Sequence, residues 1–477
     1  MKQKNKIKDH FDKFSNERGK WIKKSNYFHS EDLIYYKTLT NVKSKVLEIG
    51  CGNGQLIGSL NIDSAVGIDI SDKSIEKAKI NYPHCEFYCS SLENIKNIIH
   101  KLPSFDLIIV SDTVGYFEDI QKNLNILHYV CSNKTRIIIS YFSAFWSPIL
   151  SLAVMLKLKM PDLNPPLFSN LDLKTFLKIS NYEIIKVEKK IIMPFKFFGI
   201  EKILNRIIAN LPLISHLNLR QYLVARSLNA EREKLDSVSI VIPCKNESGN
   251  IENCLRRIPR FCKNMEIIVV EGGSLDDTWE KINNIIKNRK INLKIKAIKQ
   301  NKKGKKDAVL EGFKKATNKV FMILDCDMTV PPEDLSKFWN LIHHNHAEFI
   351  NGTRLIYPMK KNAMQFLNYI ANKTFSHLFS WILGQRFTDT LCGTKVISRS
   401  NFERLKLVSK DFNKLDPFGD FFLIFGASKL CLKINELPVK YHAREFGETQ
   451  ISRFKDGFKL IKMIISAFYK FKIISLK

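Results

Sequence analysis

Short, uninterrupted apolar runs recur along the chain, and most of them end in Gly, Pro or an acid. Residues 46–49, 65–69 and 136–141 and the run opening FDLIIVSDTVGYF (105–117) read as buried parallel strands. Helices are expected over 146–158 and 171–179, and further strands over 182–187 and 221–225. The pattern restarts after residue 236, with strands opening SIVIPCKNE (239–247), MEIIVVEGGSLDDT (265–278) and VFMILDCDMTVPPEDL (320–335). Strands that alternate with helices define an α/β class built on parallel sheets. The polar stretch RSLNAEREKLD (226–236) separates the two patterned regions. The expected organisation is a domain at 1–228, a linker at 229–236, a second domain at 237–455 and a helix at 456–477.

Two segments pattern as amphipathic helices. Over 363–383, Gln365, Asn368, Asn372, Ser376 and Ser380 form a neutral polar stripe. Over 453–471, Lys455, Lys459, Lys462, Ser466 and Lys470 oppose Phe454, Phe458, Ile461, Ile465 and Phe468. A basic stripe with aromatic anchors suits an anionic membrane surface. The longest uncharged run covers 137–156 and is long enough to span a bilayer. Ser147-Pro148 in its middle reads instead as an N-cap with Pro at the first helical position, so a strand and a helix are expected there.

Composition narrows the partners. The chain has 477 residues and a net charge of +29, carried by 60 Lys but only 16 Arg. Such a charge favours anionic ligands or surfaces. The scarcity of Arg, with no finger spacing and no basic region leading into heptads, argues against nucleic acid. An N-P-P string occurs at Asn164-Pro165-Pro166, but Leu167 follows where a base-methylating enzyme would carry an aromatic. Ten Cys lie scattered without C-x-x-C pairs, as in a reducing cytoplasmic setting, and the Lys-rich start lacks a signal peptide's apolar centre.

The string VLEIGCGNG (46–54) places Gly50, Gly52 and Gly54 directly after a strand. Glycines there permit a tight turn and close backbone approach to a ligand. Asp69 ends the next strand, where an acid can accept from a ribose diol. The spacing is G-x-G-x-G, with the acid Glu48 two residues ahead, which suits a cationic amino acid better than a pyrophosphate. This segment resembles motif I of Rossmann-like class I methyltransferases. The resemblance implies S-adenosylmethionine bound by Gly50, Gly52, Gly54 and Asp69, with Glu48 beside its amino-acid end. Ser91 stands where such proteins often carry an adenine-binding acid. Asp112 and Tyr116, just past the fourth strand, are candidates to shape the pocket or accept a proton. A binding module without methyl transfer is the alternative for this half.

In the second half, Asp325-Cys326-Asp327 closes an apolar strand. Two carboxylates spaced D-x-D can hold a hard divalent cation that neutralises a diphosphate leaving group. Glu247 and Asp276, near other strand ends, can meet a base or ribose, and NKKGKKDAVLEGF (301–313) is a basic Gly loop opening a helix. Further on stand NGTR (351–354), DTLCGTKV (389–396) and REFGETQISRF (444–454). Together these resemble family 2 glycosyltransferases of the GT-A fold, in the dolichyl-phosphate mannose synthase-like branch. The resemblance implies Mg²⁺ or Mn²⁺ on Asp325 and Asp327. It places Pro243, Glu247, Glu271, Asp276, Lys305 and Asp325 around a nucleotide-sugar donor, with Arg354, Arg444 and Arg453 toward phosphate. E-G-G-S replaces the usual D-D-G-S, so Glu271 and Gly272 stand for two acids. The implied acceptor is a lipid phosphate, which is already anionic, or a glycan hydroxyl, for which Asp389 or Asp420 is the candidate base. A peripheral position on the inner face of the cell membrane follows as an expectation.

Overall fold

The computed structural model describes the chain except residues 1, 98–101, 103, 289–290, 359–365, 410–415, 417–418, 420, 445, 448–452 and 474–477, and describes only the backbone of 2, 96–97, 366 and 453–456. Asp420 therefore lies outside the described residues, as do the Arg453 side chain and much of the 444–454 motif. The chain divides into two compact units, Met1–Arg232 with Tyr469–Lys477, and Glu233–Phe468.

The first unit is built on seven strands. They are β1 (Lys45–Ile49), β2 (Ser64–Asp69), β3 (Glu86–Cys89), β4 (Phe105–Ser111), β5 (Cys131–Phe142), β6 (Tyr182–Lys190) and β7 (Arg220–Ser227). Their order is β3-β2-β1-β4-β5-β7-β6. The first five run parallel, and β7 inserts antiparallel between β5 and β6. Alternate residues of the central strands, such as Leu47 and Ile49, Ile108 and Val110, and Ile137 and Ile139, pack one face. Leu124, Leu127, Leu173 and Leu177 join the same core from helices Ile120–Leu127 and Asn170–Ile179. Ser169 caps the second of these in a reciprocal box with Asp172. The strand order reverses between β1 and β4, which opens a crevice beyond their carboxyl ends.

Expected boundaries shift in two places. Helix Ser147–Met155 has Trp146 at its cap, so Ser147 lies inside the first turn instead of capping it. The strand expected at 136–141 is longer, beginning at Cys131.

The second unit holds β8 (Ser237–Cys244), β9 (Asn264–Glu271), β10 (Lys294–Lys299), β11 (Val320–Ile323), β12 (Phe349–Thr353), β13 (Lys395–Ser398) and β14 (Ile434–Pro438). Their order is β10-β9-β8-β11-β13-β12-β14, with β13 antiparallel to both neighbours. Pro243 does not break β8. The neighbouring strand β11 pairs only as far as Val241, so the donor that proline lacks is not needed on that side.

In the helix Phe366–Leu383 the later part of the polar stripe, from Asn372 on, faces inward, while Asn368 is exposed. Asn372 and Ser376 are buried, while Leu367 and Ile370 are exposed. The stripe is neutral, so it can satisfy buried partners: Asn372 donates to Asp389 (2.9 Å), and Ser380 bonds both the N–H (2.8 Å) and the carbonyl (2.9 Å) of Phe387. In helix Arg453–Phe468 the packed stripe is Leu460, Met463 and Ala467, and Phe458, Ile461 and Ile465 are exposed.

Candidate active sites

In the first unit the turn after β1 carries Gly50 and Gly52 at φ of 76° and 52°, a region that favours glycine. A Cβ on Gly50 would come within 2.9 Å of the Thr113 Cβ, and one on Gly52 within 2.8 Å of the Arg18 guanidinium carbon, so both glycines lie close under neighbouring side chains. Asp69 braces the turn, accepting from the Gly52 N–H at 2.7 Å and the Ser71 N–H at 2.9 Å. Burial pushes its carboxyl up, against these backbone donors and Arg18. A cavity of about 1530 Å³ opens over the turn. Gly50, Gly52, Asp69, Ser91, Asp112 and Tyr116 all line it. Small-molecule pockets run to roughly 300–1,000 Å³, so there is space for a cofactor and a sizeable second molecule.

Gly54 and Glu48 have other places. Gly54, at φ 77°, caps the short helix Gln55–Gly58. Glu48 is buried beneath the loop and accepts from the Ile57 N–H at 3.1 Å, outside the cavity lining. Burial pushes its carboxyl up to about 8, with Ile57 and Arg18 opposing only in part. Its placement at the ligand's amino-acid end is thus not what this geometry gives. Arg18 lines the cavity and is the cation beside the glycine turn. Helix Arg18–Lys24 gave no such signal in sequence, since its Lys-rich surroundings read as background.

Asp112 adopts φ 52° and is held by a buried network. Fully buried Arg220 donates to Asp112 (2.5 Å), to both oxygens of Asp32 (2.9 and 3.1 Å) and to the hydroxyls of Ser111 and Ser140 (2.9 Å each). Tyr222 donates to Asp32 at 2.5 Å. A buried guanidinium between two carboxylates stays charged, and removing either acid would leave it a single counter-charge. Asp112 is therefore fixed as a wall of the cavity.

In the second unit the acids gather at the carboxyl ends of β8, β9 and β11. Asp325 pairs with Lys305, whose Nζ lies 2.7 Å from Oδ1 and 3.0 Å from Oδ2. Burial alone would raise the Asp325 carboxyl; Lys305, aided by Lys395 and Arg354, reverses that and lowers it. Asp327 accepts from Arg444 at 2.6 Å through one oxygen and from the Thr329 N–H (3.1 Å) and hydroxyl (2.8 Å) through the other. Arg444 also reaches Glu247 at 3.5 Å, and burial raises the Glu247 carboxyl. Thus Lys305, Asp325, Asp327, Arg444 and Glu247 form one cluster. Asp276 instead orders the β9 loop, accepting from the N–H groups of Thr278 (3.1 Å) and Ser248 (3.2 Å). Glu271 caps its own turn through the Ser274 N–H at 2.5 Å.

The DTLCGTKV segment has two roles here. Gly393 lies against the pair, since a Cβ there would come within 2.7 Å of the Asp325 carboxyl carbon and collide with Lys305. Gly393→Ala is expected to displace Asp325 and cut the turnover this cluster supports about 10-fold or more, because misplacement near a reacting centre costs on that order. A steady-state assay beside a melting curve separates this from unfolding. Asp389 is fully buried. It forms a bidentate pair with Arg354 at 2.6 and 2.9 Å and also accepts from the Arg354 N–H (3.1 Å), Asn372 (2.9 Å) and the Leu391 N–H (3.0 Å). Such a carboxylate does not fit the general-base role expected from sequence; it orients Arg354. Among the described residues no group of three His, Cys, Asp or Glu is disposed to enclose a metal. Asp325 and Asp327 still offer carboxylate oxygens, with a third acid, Glu247, close enough to feel both charges.

A glycine turn and acid at the switch point of one sheet, and paired acids with cations at the strand ends of another, give the chain two separate candidate sites, one in each unit. Residues 40–169 match the family profile described as methyltransferase domain, and residues 239–405 match glycosyl transferase family 2. The two matched stretches fall one in each unit, and each unit has a mixed α/β fold. Its second half is 26% identical over 242 residues to the low-salt glycan biosynthesis hexosyltransferase Agl6 of Haloferax volcanii, covering 50% of this chain and 55% of the relative. It is 34% identical over 139 residues to a dolichol-phosphate mannosyltransferase of Pyrococcus furiosus, covering 28% of this chain and 38% of that one. The matches therefore span about half of these relatives or less. Among solved structures, a SAM-dependent methyltransferase of Thermotoga maritima, a possible histamine N-methyltransferase, aligns at 16% identity and a TM-score of 0.35, covering 46% of this chain and 99% of that one.

Proposed function

We propose that the second unit moves a hexosyl group from a nucleotide-diphospho-sugar to a polyprenyl phosphate or related cell-surface glycan precursor, and that the first unit is an S-adenosylmethionine-dependent methyltransferase. The observation that carries the first half is the cluster at the end of β11. Asp325 and Asp327 supply hard oxygen donors that fit Mg²⁺ or Mn²⁺, which would neutralise diphosphate charge. Lys305, Arg444 and Arg354 supply cations for the phosphates of donor and acceptor. A phosphate oxygen attacks the anomeric carbon, the bond to the diphosphate breaks with inversion, and the electron pair leaves on the diphosphate. An anionic nucleophile requires no base, which agrees with Asp389 being engaged by Arg354. Relatives named for dolichol phosphate support this acceptor.

Membrane placement is supported by the exposed stripe Phe458, Ile461 and Ile465 beside Lys459 and Lys462. Among the described residues no helix is long and apolar enough to cross a bilayer. Incubating the chain and polyprenyl phosphate with a panel of labelled sugar nucleotides should carry label into extracted lipid for at least one donor. Label confined to water-soluble glycan would favour a hydroxyl acceptor instead.

For the first unit, Asp69 would meet the ribose diol, Ser91 the adenine and Arg18 the carboxylate of the cofactor. Titration calorimetry with S-adenosylmethionine should give binding that Asp69→Ala weakens about 100-fold, as expected for two lost hydrogen bonds to a charged group. Equal affinity in both proteins would remove Asp69 from the site.

A further inference from the structure

The helix Ser147–Met155 is physically anomalous. Its sequence SPILSLAVM carries no charge, and none of its residues is buried. A helix apolar all round is normally enclosed by protein or lipid. Leu152, Met155, Leu156 and Leu158 are exposed on and beyond it, and Phe197 and Phe198 are exposed on the segment before helix Ile200–Arg206, Phe198 at 96%. Scattered exposed Leu would need no explanation, but a run of exposed apolar residues along one uncharged helix does.

The patch belongs to the cavity. Trp146, Leu150 and Val154 line the same space as Gly52 and Asp69, and so does Phe195. The Trp146 indole N–H donates to the Leu217 carbonyl at 2.7 Å, which ties the helix start to the segment ahead of β7. The exposed helix is thus one wall of the methyltransferase cavity.

Charge identifies what covers it. Helix Arg18–Lys24 borders this wall: Lys24 donates to the Lys157 carbonyl at 3.2 Å, and its ammonium lies 4.9 Å from the Trp21 ring centroid. Segments 18–24, 144–160 and 195–207 together contain nine Lys or Arg and a single acid, Glu201; of the nine, Lys159 is paired with Asp162 just beyond. Glu201 is buried and accepts from the Phe197 N–H at 2.9 Å. An apolar patch rimmed by cations and a tryptophan matches an anionic bilayer, where apolar groups enter the acyl region and Lys meets headgroups. A second copy of the chain would bring the same cations against this face.

We infer that the first unit docks on an anionic lipid bilayer through the Ser147–Met155 helix and the Phe197–Phe198 segment, and that its cavity draws from that bilayer a methyl acceptor bearing a hydrocarbon tail. The docking stands alone; the acceptor rests on the methyltransferase reading of the cavity. In the transfer a heteroatom of the acceptor bonds the methyl carbon, the carbon–sulfur bond of the sulfonium breaks with its electron pair left on sulfur, and the acceptor's proton passes to solvent.

Hydrogen exchange read by mass spectrometry on the full chain tests the docking segment by segment, apart from any binding by helix Arg453–Phe468. Vesicles of phosphatidylcholine with phosphatidylglycerol should slow exchange in peptides covering 147–158 about five-fold or more, and pure phosphatidylcholine much less. Leu152→Asp with Met155→Asp should abolish that protection while leaving S-adenosylmethionine affinity unchanged, since neither side chain is buried. Identical exchange with and without vesicles would overturn the docking. So would protection that rises with protein concentration alone, which would make the face a contact between copies. With labelled S-adenosylmethionine and membranes, label should enter the organic extract and fall about ten-fold in the double variant. Label found only in water-soluble product overturns the lipid acceptor, whereas loss of cofactor binding in the unmodified chain overturns the methyltransferase reading instead.

Discussion

Asp327→Ala is expected to lower sugar-nucleotide turnover by about 100- to 1,000-fold, the range seen when one group stabilising transition-state charge is removed. The carboxylate is partly exposed and divides its oxygens between Arg444 and Thr329. The alanine variant keeps the backbone at the end of β11 but offers a cation only Asp325. It also takes from Arg444 its acid partner at 2.6 Å, while Glu247 at 3.5 Å remains. Stability should fall by only about 1–2 kcal/mol, the scale of a lost hydrogen bond to a charged group. Asp327→Asn separates the two contributions, since the amide oxygen can still accept from Thr329 while the negative charge is gone. If charge matters, Asn and Ala should be similarly inactive, and added Mn²⁺ should restore Asn more than Ala. Full turnover by Asp327→Ala at normal donor concentration would exclude a metal-diphosphate role for this acid.

What could be read from the sequence was what is local. Gly50, Gly52 and Asp69 sit at strand ends because each follows an apolar run whose length and pairing are dictated by nearby residues. Asp325 and Asp327 are close because they are two positions apart on one chain reversal. The long-range partners were not legible. Arg220 meets Asp32 across 188 positions, and nothing in either neighbourhood marks them as a pair. The same holds for Arg18 against the glycine turn. Glu48 misled for a related reason. Its spacing from Gly50 fits a ligand contact, but a strand's alternation turns that side chain beneath the loop, toward the Ile57 N–H. The stripe of Asn372, Ser376 and Ser380 misled because periodicity identifies a face without saying what covers it. A buried carboxylate and a loop backbone cover it here.

Asp389 carries the largest expected effect on stability. Asp389→Ala would leave the Arg354 guanidinium, itself mostly buried, without its counter-charge, together with the Asn372 amide and the Leu391 N–H. Breaking a buried pair by removing one partner costs about 3–5 kcal/mol, which urea unfolding would read as a large fall in midpoint. Asp389→Asn retains part of the hydrogen bonding and should lose less. Burial by itself would raise the Asp389 carboxyl, but Arg354 and Asn372 override it and hold the group at about 2, below its ordinary 3.8. A depressed acid stabilises the fold above its unfolded value, and that contribution is lost as pH falls from 3.8 toward 2. The alanine variant should therefore differ from the parent at neutral pH and converge on it below about pH 2. The same value discriminates between roles in catalysis. A general base would place a titration in the turnover profile near its working pH, and Asp389 instead stays ionised throughout that range. If it positions Arg354, then Asn should raise KM for the donor or acceptor phosphate and leave the shape of the pH profile unchanged. An Asp389→Asn profile that loses its acidic limb while KM stays constant would restore the general-base role, and an unaltered unfolding midpoint in Asp389→Ala would remove the positioning one.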